Sequence, residues 1–210
     1  MATFVGPPPI DDMRRAGTDS HLRTLPAGTE LWRVYFRGGA HPTTWNTFRT
    51  FGPIVSARFD HHEPPPHEQR RAILYAAIAG PICLAEVFQE TRVIDRSRNA
   101  PWLVSFRITG QINALDLTGL WPTLAGGSQE INNGDRHDAR RWSRAIYTAF
   151  PQVDGLWYRS KMHGGMPCLA LFERAGRVMA ALPSFHAALA SPDMFDVVKD
   201  TANQIGYVVL

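Results

Sequence analysis

The fold is decided first by residues 25–36, which read LPAGTELWRVYF. Pro26 and Gly28 are typical of a turn, and the aromatic and β-branched residues that follow predict a strand over 29–36. Arg33 lies in the middle of this apolar strand. Because an arginine is unusual there, it is the first candidate for a functional side chain.

Working outward from this strand, the sequence predicts more strands than helices. Further strands are predicted at 54–59, 72–76, 102–108, 112–117, 155–160, 168–172 and 206–210, and helices at 82–90, at 138–150 and within the tail from 183. The helices do not alternate regularly with the strands, so the pattern favours an α+β sandwich over a doubly wound parallel sheet.

Two segments are predicted to lie outside regular structure. Residues 1–24 carry a run of three prolines and a polar stretch without periodicity, and we expect a surface arm with some disorder. The remaining chain, 25–210, is the size of a single domain. Within it, residues 60–71 contain Pro64-Pro65-Pro66 between histidines and glutamates and are predicted to form an exposed loop.

Composition indicates a folded protein. Of the 210 residues 44% are hydrophobic and 20% charged, and the formal net charge is +3. The only lysines are Lys161 and Lys199, and an arginine-rich chain suits a phosphorylated ligand, although codon bias is the favoured explanation of the composition. No apolar run is long enough for a signal peptide or a membrane span. Cys83 and Cys168 are expected to be buried free thiols. We therefore expect a cytoplasmic protein.

Several chemistries lack their motifs. The sequence has no Gly-x-Gly-x-x-Gly, no phosphate-binding loop and no Gly-x-Ser-x-Gly, which removes the main support for a dehydrogenase, a P-loop NTPase or an α/β-hydrolase. His61, His62 and His67 with Glu63 and Glu68 suggest metal ligands, but the intervening prolines hold these groups extended. We therefore expect a solvated loop there and neither a metal nor a resident cofactor.

Five polar residues stand within or at the ends of apolar segments. They are Arg33, Arg58, Tyr75, Glu86 and Ser160. Taken singly, each has an ordinary structural explanation, such as an arginine on an edge strand, a tyrosine in the core or a glutamate on a helix surface. Their order along the chain is more specific than any one of them.

That order resembles the RES domain family, over residues 25–172. The family's opening turn and arginine strand correspond to 25–34, and its second arginine corresponds to Arg58 in the run 57–60. Its Leu-Tyr-Ala strand matches 74–76, its Ala-Glu helix matches 84–87, and its late serine corresponds to Ser160. Ala57 stands where the family has glycine, and Phe59-Asp60 stands where it has Trp-Asn.

The resemblance implies an ADP-ribosyltransferase-like split β-sandwich with flanking helices that degrades NAD+ by breaking the bond between nicotinamide and ribose. Arg33, Arg58, Tyr75 and Ser160 would bind the dinucleotide, and inorganic phosphate could serve as co-substrate. Glu86, with Ser160 and Arg33, would carry catalysis, because a carboxylate stabilises a ribosyl cation.

The resemblance also implies a role as the toxin of a toxin–antitoxin pair. The partner would be an Xre-type helix-turn-helix protein, with no direct contact to nucleic acid or membrane, and the oligomeric state stays open. A protein ADP-ribosyltransferase and a catalytically silent NAD-binding module are the alternatives. Release of free nicotinamide without labelling of protein would distinguish an NAD+-degrading enzyme from both alternatives.

Overall fold

The computed structural model describes residues 6–210. The strands are β1 (Leu22–Leu25), β2 (Glu30–Phe36), β3 (Arg49–Gly52), β4 (His67–Ala77), β5 (Val93–Ile94), β6 (Pro101–Arg107), β7 (Ile112–Asp116), β8 (Gly155–Arg159), β9 (Pro167–Phe172), β10 (Phe185–Ala188) and β11 (Val208–Val209). The α-helices are α1 (Ile10–Ala16), α2 (Gly80–Val87), α3 (Trp121–Leu124), α4 (Glu130–Asn133), α5 (Arg136–Ala149) and α6 (Phe195–Ile205). In the part of the chain so described, no helix has the length and apolar character needed to cross a membrane.

Nine strands form one curled sheet in the order β1-β7-β8-β9-β4-β2-β6-β10, with β3 paired to β4 beside this path. The strands pair antiparallel except β7 with β8, which run parallel. A separate parallel pair joins β5 to β11. The pairing is mostly antiparallel, and the helices flank the sheet without alternating regularly with the strands, so the predicted α+β class is confirmed.

Alternation along the strands places two hydrophobic clusters on the two faces of the sheet. On β2, Val34 faces the cluster that includes the helices, whereas Leu31 belongs to the other. This second cluster joins Leu31 and Phe106 from one end of the strand path to Trp157 from the other end. The sheet therefore curls until its inner face packs against itself, as in a sandwich.

The sheet is split between β2 and β4. Strand β2 pairs with β6 along its whole length, from Glu30 opposite Arg107 to Phe36 opposite Pro101. It meets β4 only where Trp32 lies opposite Ala77. Beyond that pair the two strands diverge, which leaves a gap on the face that carries the helices.

The strand predicted at 54–59 is wrong. Residues 53–60 form turns, and the strand of this region is β3, which ends at Gly52. The backbone N–H of Ile54 donates to Asp60 Oδ2 at 2.7 Å, and Ala57 N–H donates to the carbonyl of Ile54 at 3.3 Å. These bonds close the chain on itself, so the strand-forming side chains find no neighbouring strand.

The exposed loop predicted at 60–71 is wrong at both ends. His61 and His62 are fully buried, and β4 begins at His67, directly after the three prolines. The strand extends this far because β3 supplies a partner, with Gly52 opposite His67. A pairing between segments distant in sequence overrides the local signal.

The segment predicted as an arm, 1–24, contributes a helix and a strand from residue 10 onward. Met13 on α1 is fully buried, and β1 pairs with β7 with Leu22 opposite Leu115. Trp121 Nε1 donates to the carbonyl of Gly17 at 2.7 Å, which fixes the connection between α1 and β1. The part of that prediction concerning residues 1–5 lies outside the described residues.

Candidate active site

A cleft of about 460 Å³ occupies the gap between β2 and β4. Strands β4, β8 and β9 line its floor and α2 forms one wall. Tyr158, Cys83 and Cys168 make part of this lining apolar, and both thiols are free and buried, as predicted. Burial raises the pKa of the Cys83 thiol to about 12, so this thiol is protonated and unreactive at neutral pH.

Glu86 and Ser160 meet at one side of the cleft. Glu86 lies in the last turn of α2, and Ser160 is the first residue after β8. Ser160 Oγ lies 2.5 Å from Glu86 Oε1, and it accepts hydrogen bonds from the backbone N–H groups of Met162 (3.1 Å) and His163 (2.9 Å). Because the two amides occupy its acceptor positions, the hydroxyl gives its single proton to the carboxylate.

The hydrogen bond from Ser160 holds only one of the two carboxylate oxygens of Glu86. Among residues 6–210 no hydrogen bond to Glu86 Oε2 is present. One carboxylate oxygen is therefore held by Ser160 while the other remains available to a ligand. Ser160 itself has no proton left to donate to a ribose or a phosphate.

Arg33 lines the cleft from β2 and also anchors its rim. Its Nη1 donates to the backbone carbonyls of Trp45 (3.2 Å) and Thr47 (3.0 Å), in the connection between β2 and β3. Burial lowers the pKa of the Arg33 guanidinium to about 10, so it stays charged at neutral pH. The cleft thus contains a buried cation with no carboxylate within salt-bridge distance among the residues described.

Tyr75 belongs to β4 and lines the cleft with its ring. Its hydroxyl accepts a hydrogen bond from the backbone N–H of Phe59 at 3.2 Å. Burial, followed by the charge of Asp60, raises the pKa of the phenol, which therefore stays neutral. The ring is held at its far end and leaves a face for stacking.

Arg58 reaches the cleft from the turn that replaces the predicted strand. Its Nη1 donates to the carbonyl of Gly134 at 2.7 Å, at the start of the loop before α5. Burial and the neighbouring charge of Arg136 lower its pKa, while Glu86 opposes the shift. The structure therefore brings all five predicted residues together, four as lining of the cleft and Ser160 through its bond to Glu86.

Sequence reasoning missed Arg49 and Asp60. Arg49 lines the cleft, and its Nη2 donates to Asp60 Oδ2 at 2.8 Å. Burial of Asp60 would raise the pKa of its carboxyl, but hydrogen bonds from His62 and Ile54 and the charge of Arg49 hold it well below the usual range. The sequence signal was Asp60 directly after Arg58-Phe59, which the false assignment to an exposed loop concealed.

In the histidine-rich segment His61 and His62 are buried, contrary to the prediction, whereas residues 63–68 are exposed as predicted. The His61 ring lies 4.5 Å from the ring centroids of Tyr147 and Phe172, and its Nε2 lies 3.4 Å from Glu173 Oε2. Burial lowers the pKa of His61 to about 4, so it is neutral at physiological pH. Within residues 6–210 no group of three or more histidine, cysteine or acidic side chains has the arrangement of a metal site.

These groups define a class of protein: an α+β domain with a cleft of about 460 Å³, lined by a carboxylate together with cationic and aromatic side chains. The chain belongs to the RES domain family, whose match extends over residues 30–191. No curated protein matches it in sequence.

Among solved structures, the chain is similar to one described as the crystal structure of the M. tuberculosis MbcT–MbcA toxin–antitoxin complex. The two chains are 17% identical with a TM-score of 0.56, and the alignment covers 91% of this chain and 96% of the other. At this identity the likeness concerns the fold.

Proposed function

We propose that the cleft binds NAD+ and breaks the bond between nicotinamide and ribose. The observation that carries this proposal is the contact between Glu86 and Ser160, because it leaves one carboxylate oxygen free at a site that otherwise presents cations and an aromatic ring. Membership of the RES domain family supports the same reading.

The residue types suit each part of the dinucleotide. The Tyr75 ring stacks on the nicotinamide, and its face attracts the positively charged pyridinium. Arg33 and Arg58 donate to the pyrophosphate, for which the guanidinium fork is well shaped. No metal or resident cofactor takes part in this scheme.

Cleavage proceeds with the C1′–N bond electrons leaving on the nicotinamide nitrogen. The free oxygen of Glu86 stabilises the positive charge that develops on the ribose. Water or inorganic phosphate then bonds to C1′ and loses a proton to solvent, which gives ADP-ribose or its 1-phosphate. Ser160 acts through Glu86 as a positioning residue.

A proton NMR time course of NAD+ with the purified protein tests this reaction. We expect free nicotinamide to accumulate, with ADP-ribose in phosphate-free buffer or its 1-phosphate when phosphate is added. Glu86→Gln, which keeps the shape of the side chain, is expected to stop the reaction. A wild-type protein that binds NAD+ without releasing nicotinamide contradicts the proposal and favours a silent binding module.

The same reaction with a cell lysate and labelled NAD+ identifies the acceptor class. The proposal predicts nicotinamide release without labelled protein. Label transferred to a protein in a Glu86-dependent manner would instead establish a protein ADP-ribosyltransferase.

We further propose that the protein acts in the cytoplasm as the toxin of a toxin–antitoxin pair, with an Xre-type helix-turn-helix protein as antitoxin. The support is the fold shared with a chain of the M. tuberculosis complex. Expression of the wild-type chain is expected to arrest growth and lower cellular NAD+, and Glu86→Gln is expected to relieve both. Arrest that persists with Glu86→Gln contradicts this role.

A further inference from the structure

A second cavity, of about 490 Å³, adjoins the cleft, and we call it the basic cavity. It shares Arg58, Arg136 and Lys161 with the cleft and adds Arg140 from α5, one turn beyond Arg136. Four cationic side chains therefore converge on one concave surface beside the proposed reaction centre.

Two carboxylates beside the basic cavity already have hydrogen-bond donors. Asp135 accepts a hydrogen bond from the backbone N–H of His137 at 2.6 Å and so caps α5. Glu90 Oε1 accepts from Arg136 Nη1 (3.0 Å) and Nη2 (3.1 Å). These bonds offset the positive charge of Arg136 and satisfy one backbone N–H at the start of α5.

The other three cations have backbone partners only. Arg58 donates to Gly134, Arg140 Nη1 donates to the carbonyl of Val55 at 2.9 Å, and Lys161 donates to the carbonyl of Asn133. Within residues 6–210 none of the three lies within 4.0 Å of a carboxylate oxygen. They are held in place by neutral groups and have no ion-pair partner within this distance.

The cations also act on one another. Burial and then the charges of Arg58 and Arg136 lower the pKa of Lys161. Burial and then Arg136 lower the pKa of Arg58. A ligand with concentrated negative charge would relieve this repulsion, and two guanidinium forks with one ammonium group match the oxygens of a phosphate.

We propose that the basic cavity is a binding site for a phosphate dianion, separate from the reaction centre at Glu86. The phosphate has two sources: the 2′-phosphate of a dinucleotide such as NADP+, whose other parts occupy the cleft, or free inorganic phosphate. Because Arg58 borders both cavities, one ligand can extend from the cleft into the basic cavity. The expected effect on turnover rests on the proposed function. The expected binding of phosphate does not depend on it.

Calorimetric titration with 2′,5′-ADP, 5′-AMP and inorganic phosphate tests the site without any reaction. The first two probes differ by the 2′-phosphate alone. The variant is Arg140→Gln, which lies in the basic cavity and outside the cleft. The control is Arg141→Gln, the next residue of α5, whose charge lies 3.4 Å from Asp138.

If the 2′-phosphate is the ligand, 2′,5′-ADP binds roughly tenfold more tightly than 5′-AMP, and Arg140→Gln removes most of this ratio while Arg141→Gln keeps it. If free phosphate is the ligand, the two nucleotides bind alike and inorganic phosphate binds in an Arg140-dependent manner. Equal nucleotide affinities together with no Arg140-dependent phosphate binding would overturn the proposal.

Turnover of NADP+ and NAD+, followed by NMR, separates this inference from the proposed function. Failure to cleave either dinucleotide would refute the proposed function and leave the binding result standing. A 2′-phosphate site predicts that Arg140→Gln raises the KM for NADP+ and leaves the KM for NAD+ within about twofold.

Discussion

The protein contains two polar clusters, each built around a glutamate, that differ in how many oxygens of that glutamate are hydrogen-bonded. The core cluster consists of His61, Tyr147 and Glu173. Glu173 accepts from the Tyr147 hydroxyl through Oε1 and from the backbone N–H of Ala72 through Oε2 at 3.0 Å, so both its oxygens are engaged. Both Glu173 oxygens thus have donors, whereas neither ring nitrogen of His61 has a hydrogen-bond partner among residues 6–210.

The cleft cluster consists of the five residues predicted from sequence. Here Glu86 has one oxygen bonded to Ser160 and the other without a partner among the described residues, and Arg33 has no carboxylate within salt-bridge distance there. Both side chains are half-buried and line the cleft, so water or a ligand can complete their hydrogen bonds. What distinguishes the candidate site is therefore a carboxylate with one free oxygen beside a cavity, and not polarity, burial or the number of unpaired atoms.

The largest expected effect on stability is that of Glu173→Ala. The substitution leaves the Tyr147 hydroxyl and the Ala72 amide unpaired, at a cost of about 3 kcal/mol in the free energy of unfolding. Thermal unfolding is expected to shift down by roughly 6 to 12 °C. Glu63→Ala, which removes an exposed ion pair with Arg71, is the control and should cost less than about 1 kcal/mol.

The core cluster also predicts a pH dependence of stability. Because the folded pKa of His61, about 4, lies below the ordinary 6.5, the unfolded chain binds this proton first as the pH falls. The free energy of unfolding should therefore drop by about 2 kcal/mol between pH 7 and pH 4.5 through this group. The free energy of unfolding, measured by denaturant titration at each pH, should depend less steeply on pH for His61→Phe than for the exposed control His137→Gln. An equal dependence on pH in the two variants would contradict the assignment.

In the cleft cluster, Ser160→Ala is expected to lower kcat about 100-fold, as loss of one preorganised donor does. The KM for NAD+ should change less than about threefold, because Ser160 acts through Glu86 and not on the substrate. Ser160→Thr restores the hydroxyl and should recover much of the rate. An increase in KM with kcat unchanged would show that Ser160 binds the substrate directly.

The smallest effect is expected for Tyr75→Phe, which keeps the ring and removes only the acceptor of the Phe59 N–H. The kcat/KM for NAD+ should fall less than about threefold, whereas Tyr75→Leu should raise the KM about tenfold by removing the stacking face. Equal effects of the two substitutions would place the function of Tyr75 in its hydroxyl.

Much of the fold was accessible from sequence because local patterns and tertiary pairing agree in β2, β6, β9 and α5. Prediction failed where distant partners decide the structure. Residues 54–59 have strand-forming side chains, but Asp60 closes them into turns, and β4 extends to His67 only because β3 lies beside it. The N-terminal segment lacks periodicity and still supplies β1, since β7 offers it an edge.

The residues of the candidate site could be predicted from the sequence, but their geometry could not. The ordered set from Arg33 to Ser160 was recognisable by its resemblance to a family. The sequence could not show that the Ser160 proton goes to Glu86, because this depends on the backbone N–H groups of Met162 and His163 in a loop. Arg49 and Asp60 were not predicted because their ion pair exists only in the folded chain.

The most direct test measures NAD+ cleavage and thermal unfolding side by side for Glu86→Gln and Glu173→Ala. We expect Glu86→Gln to lose at least about 1000-fold in turnover with a melting temperature close to that of the wild type. Glu173→Ala should melt at a lower temperature and, below that temperature, keep kcat/KM within about threefold of the wild-type value. Undiminished cleavage by Glu86→Gln, or a loss of stability as large as that of Glu173→Ala, would contradict it.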